Sequence, residues 1–233
     1  MSPKALDGPG LHGKLPARGD FLTRHLPRDF VTPWDLWLQQ SLAASRRMLG
    51  QDWLARYLVS PLWRFALLPG VCGPQAVCGV LMPSVDRVGR YFPLTLAVAL
   101  AQRPAPQVLL NQDWFPQAEA LLLEALGDLA DLEHWVARIN ALGAPGVGAS
   151  PPPSEPPLPD LCYHDLPIGQ ACPSLAAAPG LWWTTGSEAI SPCLLTTRSL
   201  PGGEPFTALL DGHWQDHGWH RQDPPPTGAL QEG

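Results

Sequence analysis

Residues 92–100 read FPLTLAVAL, and the fold turns on what those nine residues are. Apart from Thr95 the run is apolar throughout, as a central strand covered on both faces must be, because neither face meets water. Pro93 belongs at the strand start, where its missing N–H costs no ladder bond. The run is about half the roughly 20 residues that a membrane-spanning helix needs, so it belongs to a core and not to a bilayer.

Working outward, residues 63–68 and 76–82 are further short apolar runs bounded by Pro and Gly, and 181–184, 193–197 and 206–210 repeat the pattern. Such runs read as buried strands, although periodicity alone does not separate them from buried helix. The last ends at an Asp211-Gly212 turn. Between and before them lie helical patterns. Thr32, Pro33, Trp34 and Asp35 form a helix start, with a capping hydroxyl, a first-turn Pro and a carboxylate at the positive end of the dipole. Trp34, Leu38, Leu42 and Leu49 follow at helical spacing until Gly50 closes the run. A shorter helix over 53–59 is stopped by Pro61, and one long helix is expected over 116–142, with Leu122, Leu126, Leu129, Val136, Ile139 and Leu142 on one face. Strands flanked by helices predict a layered α/β/α domain with a mixed sheet. A single domain is expected over 1–233, with a Pro-rich spacer at about 144–180 and a frayed tail from 224.

Composition narrows the partners. The formal net charge is -6 and only 15% of residues are charged, with no Lys/Arg-dense run. The long-range attraction that nucleic acid or an anionic membrane demands is missing, so neither is expected as a partner, nor is membrane insertion. The cations are almost all Arg, the side chain of bidentate and partly buried pairs. Five cysteines, Cys72, Cys78, Cys162, Cys172 and Cys193, lack any C-x-x-C spacing and read as reduced, packed thiols. The N-terminus has no apolar targeting segment, and a soluble, cytoplasmic protein is expected.

Chemistry is concentrated in two charged loops. Residues 13–21, GKLPARGDF, hold an RGD triplet and complete a G-x-x-x-x-G-K spacing from Gly8 to Lys14. A phosphate loop requires Ser or Thr after the Lys and a strand before the first Gly; Leu15 and Pro16 follow instead, which argues against nucleotide binding. RGD reads as a turn in which Gly19 supplies backbone freedom and Arg18 and Asp20 seek partners. Residues 84–93, SVDRVGRYFP, join two expected strands, yet interleave Asp86, Arg87 and Arg90 with Val85, Val88, Tyr91 and Phe92. Alternation of that kind turns some charges inward. Arg18, Asp20, Ser84, Asp86, Arg87 and Arg90 therefore form either a structural ion-pair network that fixes the two loops or an Arg site for an anion or a partner's acidic group.

Elsewhere the signals are weaker. His213, His217 and His220 would share one helical face with metal-type spacing, but Gly212 and Gly218 interrupt any helix and Trp214 and Trp219 supply a packing motive. No metal site is assigned there. Trp214 and Trp219, on a Gly-flanked segment, are expected to be partly exposed aromatic anchors for a partner. No nucleophile motif or metalloprotease signature is present, and no cofactor is assigned.

Taken in order, residues 13–39, 60–73, 79–97, 181–188 and 206–214 resemble the TagF/ImpM family associated with bacterial type VI secretion, most specifically through SVDRVGRYFP. The resemblance implies a cytoplasmic accessory protein without catalytic activity that represses the secretion apparatus after translation by binding its forkhead-associated scaffold component. Some relatives carry a PP2C-type phosphatase; no such motif stands in this sequence, so the stand-alone form is expected. The alternative function is a phosphate- or anion-sensing protein or a metal-dependent enzyme of the same pathway, built on the same arginines.

Overall fold

The computed structural model describes residues 8–100, 113–127, 129–145, 160–164 and 178–222. Among the described residues nine strands make one sheet: β1 (Gly10–Gly13), β2 (Leu22–Arg24), β3 (Trp63–Leu67), β4 (Ala76–Met82), β5 (Leu94–Leu100), β6 (Leu161–His164), β7 (Gly180–Thr184), β8 (Cys193–Thr197) and β9 (His220–Arg221). Their spatial order is β2-β1-β5-β4-β3-β7-β8-β6-β9. Every pairing is antiparallel except β6 with β9, so the sheet is mixed.

The period-two alternation of the strands divides the core into two layers. Ala76, Cys78, Val80 and Met82 of β4, with Leu94, Leu96, Val98 and Leu100 of β5, face α3 (Trp114–Glu124) and α4 (Leu132–Ala141). Val77, Leu81, Phe65, Leu67, Trp182 and Leu195 face the other way, onto α1 (Arg28–Leu49), α2 (Trp53–Val59) and α5 (Glu204–Asp211). The expected α/β/α layering is thus present. The central position of β5 explains its composition: helices cover both faces, and each fully buried Leu contributes about 1.5–3 kcal/mol. Gly79 lets β4 approach β5, since a Cβ there would lie 2.1 Å from the Leu96 carbonyl oxygen.

Tryptophans bolt the layers together, because each buried indole N–H needs an acceptor. Trp34 of α1 donates to Thr95 Oγ1 of β5 at 2.8 Å, Trp63 of β3 to the Leu209 carbonyl of α5 at 3.0 Å, and Trp135 of α4 to the Leu121 carbonyl of α3 at 2.8 Å. On the α3 face, Arg64 of β3 makes a two-pronged pair with Glu119, at 2.7 and 2.8 Å.

Several elements differ from the sequence expectation. Residues 206–210 lie in helix α5: Pro205 stands in its first turn beside Glu204, and Gly212 closes it with a left-handed φ of 75°. Residues 116–142 form two helices, divided near Gly127, where Asp131 starts α4 by accepting from the His134 N–H at 3.0 Å. Helix α1 begins at Arg28, so Thr32 and Pro33 lie inside it. Pro33 removes only the N–H that would reach the Asp29 carbonyl, and Phe30, stacked on Trp34 at 5.1 Å, extends the buried face back through the extra turn. Short strands β1, β2, β6 and β9 were not foreseen, and β6 lies within the supposed spacer. The rest of that spacer's centre and the tail from 224 lie outside the described residues.

Candidate functional site

The loop between β4 and β5 is a hairpin closed by the Val85–Tyr91 bridge. Its turn forms as the Gly89 N–H donates to the Asp86 carbonyl at 3.0 Å, with Gly89 at φ 83°. Asp86 fills the inside of that turn. Its Oδ1 accepts the backbone N–H groups of Val88 at 3.0 Å and Arg90 at 2.8 Å, and its Oδ2 accepts Arg90 Nε at 2.7 Å. The Oδ2 also accepts the ammonium of Lys14, which is itself buried. Burial of the Asp86 carboxylate opposes its charge, but donation from Lys14, then from the Arg90 backbone and side chain and the Val88 backbone, outweighs that. Together these bonds hold the group well below the usual carboxylate range.

Lys14 and Arg90 link the hairpin to the RGD loop. Arg90 donates a terminal guanidinium N–H to the Gly19 carbonyl, and the Arg87 N–H donates to the Arg18 carbonyl at 2.9 Å. Ser84, at the base of the hairpin, donates its hydroxyl to the Lys14 carbonyl at 2.8 Å. From the helical side, Tyr57 donates its O–H to the Ser84 carbonyl at 2.8 Å, and burial pushes the Tyr57 phenol far above its ordinary value. Gly13, at φ 139°, passes so close to β5 that a Cβ would sit 2.1 Å from the Pro93 carbonyl oxygen. Two loops distant in sequence are therefore clamped into one surface.

That surface uses its charges unequally. Asp86 and Ser84 face inward, and Arg90 spans the two loops. Arg18, Asp20 and Arg87 are exposed, and none of the three makes an ion pair among the described residues. Of the expected network, Asp86 and Arg90 pair, and Lys14 supplies the second cation to Asp86. The hydrogen-bonded turn lies at residues 15–18, just ahead of the RGD triplet, closed by the Arg18 N–H donating to the Leu15 carbonyl at 3.0 Å, and Gly19 does not use a left-handed backbone. Arg18, Gly19, Asp20, Phe21, Arg24 and Arg87 line an open groove of about 390 Å³.

Lys14 was the functional neighbour missed by sequence reading. Its signal was its rarity: it is one of two lysines in the chain. His12 was missed as well. It is buried, with Nδ1 2.9 Å from Thr23 Oγ1 and Nε2 3.2 Å from Asp35 Oδ1, and so ties β1 to α1.

The C-terminal aromatic and histidine residues take other roles. Trp219 is buried, with its indole N–H on the Pro205 carbonyl at 2.9 Å, so it is no surface anchor. Trp214 is half-buried, stacked on Tyr163 at 5.8 Å. Glycines 212 and 218 take left-handed φ values of 75° and 80° and let the segment fold its aromatic rings back onto the core. The buried His217 ring bonds Asp211 through Nε2 at 2.9 Å, whereas His213 and His220 are exposed. Among the described residues no three His, Cys, Asp or Glu side chains converge as metal ligands do. Cys72, Cys78, Cys162 and Cys193 are buried, and burial pushes the Cys72 thiol up to about 12. Cys172 lies outside the described residues.

Fold and site together define an α/β/α domain that presents a salt-bridged hairpin and a cationic loop as one rigid surface. Comparison with known proteins gives that class a family. The TagF N-terminal domain, type VI secretion system-associated, matches residues 10–142. The crystal structure of PA0076 from Pseudomonas aeruginosa PAO1 is 40% identical, superimposes with a TM-score of 0.73, and the match covers 88% of this chain and 94% of that one. No curated protein matches. The chain belongs to the TagF family of type VI secretion-associated proteins. No helix among the described residues is long and apolar enough to cross a membrane.

Proposed function

We propose that this chain is a cytoplasmic, non-enzymatic negative regulator of type VI secretion that acts after translation by binding a forkhead-associated scaffold component through the clamped loops. The observation that carries this reading is the division of labour around Asp86. The buried carboxylate, Lys14 and Arg90 hold the loops in shape, while the Arg18 and Arg87 guanidiniums stand on the groove with no ion pair among the described residues. Arginine forks on a stiff surface suit a partner's acidic or phosphorylated groups, and a preorganised loop loses little entropy on binding.

The test is co-purification of the full chain with the forkhead-associated component. The paired R18E and R87E substitutions are expected to abolish capture and leave the melting temperature unchanged, because both side chains are exposed. Capture equal to that of the unaltered chain would remove these arginines from the interface. The same preparation is expected to turn over no phosphorylated compound; turnover lost in R87E would favour the anion-processing reading.

A further inference from the structure

A second groove, of about 550 Å³, borders the hairpin where Gly89, Arg90 and Tyr91 meet the end of α1 and the start of α2. Its size lies within the roughly 300–1,000 Å³ of ligand clefts. An aromatic cluster forms its base. Trp53 stacks on Tyr57 at 4.8 Å and meets Tyr91 edge-on at 5.8 Å, and its N–H is fixed on Ser45 Oγ at 2.9 Å. The Arg46 guanidinium lies 4.2 Å from the Trp53 ring centroid; the residue is exposed and makes no ion pair among the described residues. Stacking preorganises the planar fork without consuming its hydrogen-bond donors. Arg90 supplies a second positive charge whose position is set by Asp86.

Exposed apolar residues border this pair of cations. Leu54 and Leu58 stand one helical turn apart on α2, 38% and 54% exposed, and Val88 at the hairpin tip is 65% exposed. None of the groove-lining residues is acidic, in a chain whose formal net charge is -6. Leu54 lines the groove, Leu58 continues its row on α2, and Val88 precedes the lining residue Gly89, so exposed apolar side chains border two arginines, an arrangement with one electrostatic complement.

We infer that this groove docks an acidic amphipathic helical segment of a protein partner. Its carboxylates pair with Arg46 and Arg90, and its apolar face covers Leu54, Leu58 and Val88. An anionic bilayer is the other surface with that charge, but it would meet the whole acidic chain and not only this island, so repulsion disfavours it. The groove lies outside the Arg18/Arg87 cluster and does not depend on which scaffold protein the regulator binds.

Fluorescence anisotropy of the full chain with a labelled helical peptide carrying glutamates on one face and leucines on the other reads this directly. Binding is expected to fall about tenfold or more in R46E and in L54S, the loss expected of interface hot spots. It is expected to weaken with added salt and to persist in the R18E/R87E chain. Melting temperatures of the variants control for folding. No binding of the peptide, equal binding of a counterpart with lysines for glutamates, or affinity unaffected by R46E and L54S would overturn the proposal. So would R46E-sensitive binding to phosphatidylserine vesicles with none to the peptide.

Discussion

Asp86 shows how one carboxylate holds two loops together from the inside of a turn. Because its folded form is held below the ordinary 3.8, the unfolded chain binds a proton there first as pH falls. Its contribution to stability is complete above 3.8, declines as pH drops below that value, and is lost on passing through the folded value. Urea unfolding of the wild type and D86N across acid pH is expected to give a stability gap that is constant near neutrality and closes on acidification. D20N, altering an exposed carboxylate with no ion pair among the described residues, is expected to leave stability at neutral pH unchanged. Arg64 and Glu119 make the corresponding pair on the opposite layer. Breaking it by Glu119→Ala strands a buried guanidinium, which costs about 3 kcal/mol. At roughly 2–4 °C per kcal/mol for a chain of this size, a melting-temperature drop of about 6–12 °C is expected by calorimetry.

At the scale of elements, capping governs where helices begin. Asp131→Ala removes the acceptor of the His134 N–H, and about 1 kcal/mol, or roughly 2–4 °C in melting temperature, is expected to go with it. In the sequence the leucine periodicity on either side ran through Asp131 and concealed the break. The central strands β3, β4, β5, β7 and β8 were legible because two helical layers make them apolar on both faces. Residues 206–210 were equally apolar for another reason: α5 is buried on most of its circumference, from Phe206 through Asp211, so no polar stripe announced its period. Strands β1, β2 and β9, at or next to the sheet edges, are two to four residues long, too short to carry alternation, and their identity is set by pairing alone. In the site, the inward turn of hairpin charge was legible from its spacing with valines; that Lys14 would answer it was not, because contacts across 72 positions leave no trace in local pattern.

The whole molecule is more continuous than the 10–142 match suggests. Strand β7 pairs with β3, and α5 packs against α1, so residues beyond 142 complete both the sheet and the aromatic layer. A chain ending at residue 142 would expose the β3 edge and the faces of Trp34, Trp37 and Phe65, which in the full chain lie against Trp182. It is expected to aggregate on size-exclusion chromatography, whereas the full chain is expected to unfold in urea in one transition that coincides by circular dichroism and fluorescence. Two separated transitions would mean that the sheet is two cooperative units.

Trp34, Trp37 and Trp182 sit with ring centroids 4.6–6.0 Å apart, and Trp34 and Trp182 are within 7° of parallel. Chromophores held that closely share their excited states, so the far-ultraviolet spectrum of this protein will contain an exciton couplet that has nothing to do with backbone. Helix content deduced from ellipticity will be biased, and the couplet itself becomes an optical gauge of whether the sheet still carries α1.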